Sequence, residues 1–238
     1  MKQIPTPRDA LLFETDTGMV LVSAVDSCGG IGNLPGDALH VSPSIVGLFT
    51  ARVALLEVLA LGAQPAWAAL AVSSGPDTAE ELITGAKKIL GNIPLAVSTE
   101  KNMPTNVTGL GVTVTGFCHA DALRTACARQ GDSLYCAGDP LVGEETLDVR
   151  AVLFEPDHLA ALWADPRVHA LIPVGSRGIA AEAAVLALES SLVCTLDEQC
   201  GLNLKKSAGP ATCVVFAAQA GSCFDIGLPV REIGTLYK

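Results

Sequence analysis

The chain has 238 residues, half of them hydrophobic. That is enough to bury a sizeable core in one large domain or two small ones, and too apolar for disorder. Only 17% of residues are charged, 25 acidic against 15 basic, for a formal charge of −10, and aromatics make up 4%. With neither a field that attracts phosphate backbones nor rings for stacking bases, nucleic acid is excluded as a partner and a small-molecule site is expected.

The first strong element is Met19 to Val25, a β-branched run read as a buried strand that ends at Asp26. A glycine-rich loop follows, Ser27-Cys28-Gly29-Gly30-Ile31-Gly32-Asn33-Leu34-Pro35-Gly36. Ser44 to Leu61 has helical length, is nearly all apolar and must be sandwiched. Pro65 to Ser73 reads as a strand, Thr78 to Leu90 as an amphipathic helix and Pro94 to Ser98 as a short strand. Val107 to Phe117 alternates and is rich in Thr and Val, which predicts a further strand of antiparallel type, with a short helix over Ala120 to Arg129 after it.

Gly131-Asp132 and Gly138-Asp139-Pro140 punctuate the middle around a strand at Ser133 to Cys136. The expected division is therefore 1–130 and 131–238, with the α/β pattern restarting in the second part. There, helices are expected at Pro156–Trp163 and Ile179–Leu188, and strands at Ala170–Val174, Leu192–Leu196 and Ala211–Gln219. The fold class is α/β (α+β), a mixed sheet with helices in each of two domains.

None of the eight cysteines lies two residues from another with the spacing of a zinc or redox pair, and most sit in apolar runs. The amino terminus lacks a signal-peptide pattern, so a cytoplasmic location with free thiols is expected. Val53 to Val72 is the most membrane-like stretch, but Glu57 and Gly62-Ala63-Gln64-Pro65 interrupt it, and no membrane partner is expected.

Glu57 stands alone in Val53-Ala54-Leu55-Leu56-Glu57-Val58-Leu59-Ala60-Leu61 and needs a partner: either an arginine such as Arg52 or a metal ion. Gly47, Thr50 and Ala54 share its helix face, a narrow stripe that suits something hydrophilic. Asp26 begins the glycine loop at the place where open α/β sheets position ligands; it is either a cap for turn amides or a ligand-binding acid. The backbone of Gly29, Gly30 and Gly32 can form an anion-binding concavity, although the spacing is neither that of a Walker loop nor that of a dinucleotide fingerprint. Glu100 closes the third strand where apolar sequence turns polar. Three acids gathered from separate segments would suit Mg²⁺ and a nucleotide phosphate. The four scattered histidines suggest no base, and Ser176 and Arg177 in Gly175-Ser176-Arg177-Gly178 have a claim on substrate phosphate.

Taken together these segments resemble the superfamily of aminoimidazole ribonucleotide synthetase, selenophosphate synthetase, hydrogenase maturation factors and thiamine-monophosphate kinase. The family's Asp-Leu-Ala-Ala-Met-Gly-Ala-X-Pro is matched by Glu57-Val58-Leu59-Ala60-Leu61-Gly62-Ala63-Gln64-Pro65, and its Gly-Gly-Asp-Thr by Ser98-Thr99-Glu100-Lys101. Gly131-Asp132-Ser133-Leu134-Tyr135 looks like its linking strand and Ile233-Gly234-Thr235-Leu236 like its closing strand. The Ser-Asp-Gly-Leu of thiamine-monophosphate kinases stands here as Ser176-Arg177-Gly178-Ile179, and several acids of their second domain are missing. The loops are most similar to α-ribazole kinases.

The resemblance implies a two-domain aminoimidazole ribonucleotide synthetase-like fold and an ATP- and Mg²⁺-dependent phosphotransferase, homodimeric, acting on the ribose hydroxyl of α-ribazole in cobamide salvage. The alternatives are a thiamine-monophosphate kinase-like enzyme and a nucleotide-binding maturation or scaffold protein. The implied site comprises Asp26 and Arg177 as catalytic groups; Asp26, Glu57 and Glu100 for metal and phosphate; Gly29, Gly30 and Gly32 for nucleotide; and Thr50, Arg52, Ser176 and Arg177 for substrate.

Overall fold

The computed structural model describes residues 1–238, and the chain divides into two units. The first comprises Met1–Ile4, Asp9–Val58 and Ala63–Asp121; the second comprises Pro5–Arg8, Leu59–Gly62 and Ala122–Lys238. The main crossing thus falls at Ala122 rather than Gly131, and two short segments early in the chain belong to the second unit.

The first unit is a mixed six-stranded sheet with two helices. Its strands are β1 (Lys2–Ile4), β2 (Ala10–Glu14), β3 (Met19–Gly29), β6 (Gln64–Val72), β7 (Leu95–Thr99) and β8 (Gly109–His119), in the order β1-β2-β3-β8-β6-β7. Only β6 and β7 run parallel. The α-helix α2 (Pro76–Leu90) joins that pair in sequence, as a parallel crossover requires. Val20, Val22 and Ala24 of β3 are buried in alternation, and Val112 and Val114 of β8 lie opposite Asp26 and Ala24 on the same face.

The helix α1 (Pro43–Ala60) is apolar all round. It has the length and hydropathy of a membrane span, yet 61% of that stretch is buried in the fold. Gly47 on α1 and Gly85 on α2 let the two helices touch backbone to backbone. A side chain at Gly47 would collide with the Leu82 carbonyl, and one at Gly85 with the Ser44 carbonyl. The small stripe expected to look at something hydrophilic is, at Gly47, a helix crossing.

Beyond β3 the chain folds back through two short parallel strands, β4 (Ile31–Gly32) and β5 (Leu39–His40). The segment expected as a helix over Ala120–Arg129 forms one 3₁₀ turn at Ala120–Ala122 and then runs irregularly, with Ala126 at φ +53°. A left-handed residue of that kind cannot continue a right-handed helix.

The second unit is a five-stranded antiparallel sheet in the order β10-β12-β9-β13-β11. The strands are β9 (Ser133–Ala137), β10 (Val168–Pro173), β11 (Val193–Leu196), β12 (Val214–Ala218) and β13 (Val230–Tyr237), with α3 (Pro156–Ala164) and α4 (Ile179–Glu189). Leu134, Cys136, Val215, Ala217 and Ile233 form a core with Ile179, Ala183 and Leu186 of α4. On the opposite face Tyr135, Phe216 and Phe224 pack ring to ring, with centroids 5.0–5.3 Å apart.

The segment Pro5–Arg8 is tied in by a buried fork. Arg8 Nε and Nη2 donate to the two carboxylate oxygens of Glu189 at 2.9 and 2.7 Å, and Nη1 donates to the Leu171 carbonyl at 2.8 Å.

Candidate functional site

Asp26 lies within β3, not at its end, because pairing with β8 continues as far as Gly29 opposite Gly109. The alternation that buries Val20, Val22 and Ala24 also turns Asp26 and Cys28 toward the buried face, where the sheet is running out of apolar cover. Burial pushes the Asp26 carboxyl up to about 6, against a weaker opposing hydrogen bond from the Ser27 amide. Burial, with the charges of Asp26 and Asp37 nearby, pushes the Cys28 thiol up to about 11, so this cysteine stays protonated at neutral pH.

The glycine loop is held by a residue that sequence reasoning passed over. Asp37 is buried; its Oδ1 accepts from the Thr108 amide at 2.7 Å, and its Oδ2 accepts from the Thr108 hydroxyl at 2.7 Å and the Leu34 amide at 2.9 Å. Burial works to raise its carboxyl, but these hydrogen bonds and the charge of His40 outweigh it and leave the group below the usual range. Gly32 is obligatory here because any side chain would strike the Thr108 hydroxyl and the Asp37 carboxylate. The only signal in the sequence is an aspartate among glycine and proline, a pattern shared by ordinary turns.

The loop's amides are mostly occupied. That of Gly30 donates to the Thr108 carbonyl, that of Gly36 to the Asn106 carbonyl and that of Ala38 to the Gly30 carbonyl. Gly29 sits within the strand ladder. The expected anion-binding concavity over Gly29, Gly30 and Gly32 is therefore a self-bonded turn with Asp26 and Cys28 beside it.

Asp26, Glu57 and Glu100 do not come together, and no three acidic, histidine or cysteine side chains anywhere in the chain form a metal-holding group. Asp26 shares a row across the sheet with Val112, Leu70 and Val97. Val58, next to Glu57, lies against Gly116, which pairs with Val22 four residues back along β3, about 13 Å at the usual rise. Glu100 follows β7, three strands away from β3, a lateral separation of about 14 Å. The predicted carboxylate set does not fit a shared Mg²⁺, because the sheet order spreads its members along and across the unit.

Glu57 and Arg52 each have an interaction within the fold, and neither is free. Thr50 is buried with its hydroxyl donated to the Val46 carbonyl at 2.8 Å. Arg52 is fully buried with its guanidinium 4.9 Å above the Phe49 ring. Their expected substrate contacts are corrected: both are parts of the helix core, without an exposed surface to offer a ligand.

Glu100 Oε1 accepts from the Asn102 and Met103 amides at 2.6 and 3.2 Å, which holds its carboxyl below the usual range. It borders a cavity of about 520 Å³ between α2 and β7 that also carries Lys87, Lys101, Thr84 and Thr99. In the second unit Ser176 and Arg177 are exposed on the turn before α4. The Arg177 guanidinium lies 3.4 Å from Glu182.

Neither a protein-family model nor a curated protein sequence matches the chain. Solved structures do, and they define the fold as that of the aminoimidazole ribonucleotide synthetase-like proteins. The chain is similar to thiamine-monophosphate kinase from Stenotrophomonas maltophilia K279a, with a TM-score of 0.64 and 19% identity over 99% of this chain and 88% of that one. It is equally similar to AaThiL complexed with AMPPCP and TMP (TM-score 0.64, 19% identity, 97% and 84% covered). A third likeness is to the HypE–HypF complex (TM-score 0.64, 14% identity, 97% and 87% covered). At these identities the likeness establishes the fold.

Proposed function

We propose that the chain is an ATP-dependent kinase of a small hydroxylated molecule, with the ribose hydroxyl of α-ribazole as acceptor. The observation that carries the reading is the Asp26 carboxyl, raised to about 6 beside the glycine loop, in a fold shared with a protein that holds AMPPCP and TMP. A base poised near neutral pH is ionised in the cell yet basic enough to take a hydroxyl proton.

In the proposed step the acceptor oxygen attacks the γ-phosphorus in line. The hydroxyl proton passes to an Asp26 carboxylate oxygen, the new O–P bond forms, and the bond to the β–γ bridging oxygen breaks to release ADP. Mg²⁺, where present, would arrive on the nucleotide's phosphates and would need no all-protein cage. Thiamine monophosphate is the second acceptor to be considered, given the two similar structures above.

A second reading, nucleotide binding without transfer to a small molecule, draws on the likeness to the HypE–HypF complex and on the dispersal of the three acids. The experiment that decides is ADP release measured with α-ribazole, thiamine monophosphate and common nucleosides, for the wild type and Asp26→Asn. Riboside-dependent release that falls at least about 100-fold in the variant is the expected outcome. ATP bound without acceptor-stimulated turnover would establish the second reading instead.

The proposed enzyme is a homodimer. The outer face of the first unit's sheet carries Leu11, Val25 and Trp67, which are 53%, 63% and 43% exposed, with Phe117 edge-on to Trp67 at 5.5 Å. A second copy of the same face would cover this apolar surface.

A further inference from the structure

The loop of residues 30–39 leaves β3 shortly after Asp26, and a single buried threonine holds most of it. Thr108 is 1% exposed and commits all three of its polar groups there. Its amide and hydroxyl donate to the two carboxylate oxygens of Asp37, each at 2.7 Å, and its carbonyl accepts from the Gly30 amide at 2.9 Å. Within the loop the Ala38 amide donates to the Gly30 carbonyl, and the Val41 amide to the Gly32 carbonyl, both at 2.8 Å. On the other side the hydroxyl of Thr78, buried in the first turn of α2, donates to Asn33 Oδ1 at 3.1 Å.

The post that receives Asp37 continues directly into the strand beside Asp26. Gly109, the next residue, pairs with Gly29, and Leu110 and Val112 pair with Cys28 and Asp26. A shift at Thr108 is therefore passed along β8 to the partners of both side chains.

Asp37 itself has nothing to offer a ligand. It is 6% exposed, and its oxygens are turned to Thr108 and Leu34. Its charge helps to raise the Cys28 thiol, but it has no share in the shift of Asp26, which comes from burial set against the Ser27 amide. A buried carboxylate whose acceptors are used, next to a reacting group, acts on the chemistry by fixing geometry.

We infer that Asp37 is a positioning residue for the reaction: clamped on Thr108, it keeps residues 30–39 in one shape beside Asp26 and touches neither nucleotide nor acceptor. The inference rests on the kinase reading above, with Asp26 as the base.

The test uses the full chain and two readouts, one with turnover and one without. Thr108→Val removes the hydroxyl with little change of shape, and Thr108→Ser keeps it. Asp37→Asn sets an amide donor against the Leu34 amide, and it carries the test if Thr108→Val does not fold. The first readout is ADP release with α-ribazole or thiamine monophosphate, whichever stimulates it, corrected for the folded fraction. There kcat/KM should fall at least about tenfold in Thr108→Val and Asp37→Asn and return to within about threefold of the wild type in Thr108→Ser. The midpoint of the pH profile should stay near 6 throughout, since Asp37 does not set it. The second readout is alkylation of Cys28 by iodoacetamide without substrate, located by peptide mass spectrometry. It should quicken at least about fivefold in Thr108→Val, because a loosened loop hydrates the thiol and lets it ionise.

Wild-type kcat/KM in the folded variants, an equal fall in Thr108→Ser, or a displaced pH midpoint each overturns the positioning role and leaves the kinase. A wild type without acceptor-dependent turnover removes the kinase and this role with it; faster alkylation in Thr108→Val would then leave Asp37 a clamp of the fold alone.

Discussion

Two aspartates on either side of the glycine loop have opposite electrostatic fates, and the difference comes from what each can accept. Asp26 is partly buried with a single amide bond to offset desolvation, and its carboxyl rises to about 6 from an ordinary 3.8. If Asp26 is the base, kcat/KM rises with pH through an apparent value near 6, because only the carboxylate can take the proton. A pH–rate profile flat between 5 and 7 would remove Asp26 from that role. Asp37, buried more deeply, accepts three hydrogen bonds and stays ionised. Asp37→Ala strands the Thr108 amide and hydroxyl and the Leu34 amide, so chemical denaturation should show a loss of about 3 kcal/mol. Sequence could pick out Asp26, since an acid in a β-branched run is conspicuous. It could not pick out Asp37, whose importance lies in Thr108, 71 residues further on.

At the scale of elements, the apolar runs at α1, β3, β6 and β8 were legible because periodicity and length are local properties. The short strands β1 and β2 and the irregular run after Ala122 were not, since three to five residues carry too little periodicity and a run without a pattern carries none. The convergence of Asp26, Glu57 and Glu100 failed for another reason: strand order is not written in any one segment. The docking of Pro5–Arg8 was equally hidden, and it carries its own prediction. Arg8 and Glu189 form a buried pair, and burial pushes the Glu189 carboxyl up while Arg8 more than offsets it, leaving the group below its ordinary 4.5. A depressed carboxyl stabilises the fold above its unfolded value and loses that contribution as pH falls through the folded one. Arg8→Ala should therefore cost about 3–5 kcal/mol at pH 7, read by urea unfolding, because it leaves a buried carboxylate alone. The deficit should shrink as the medium is acidified; a deficit independent of pH would show that lost packing, not charge, is responsible.

For the whole molecule, the decisive surface is the outer face of the six-stranded sheet. Leu11, Ser23, Thr115 and Trp67 form one row across it and Val25, Thr113 and Ala69 the next, so exposed apolar groups share one face with hydroxyl side chains between them. Trp67→Glu places a charge in that patch. Light scattering should find a dimer in the wild type and a monomer in the variant, both with the same far-ultraviolet circular dichroism. A wild type that is monomeric at all concentrations would overturn the pairing.

The membership of Pro5–Arg8 and Leu59–Gly62 in the second unit has a consequence for how the protein is made. Arg8 leaves the ribosome 181 residues ahead of Glu189, so the arginine must wait through the synthesis of the intervening chain for the acid that receives it. A gene cut at the boundary would deliver a carboxy-terminal fragment with an orphaned glutamate in its interior. Splitting this chain into independently expressed halves calls for carrying the first eight residues along with the last.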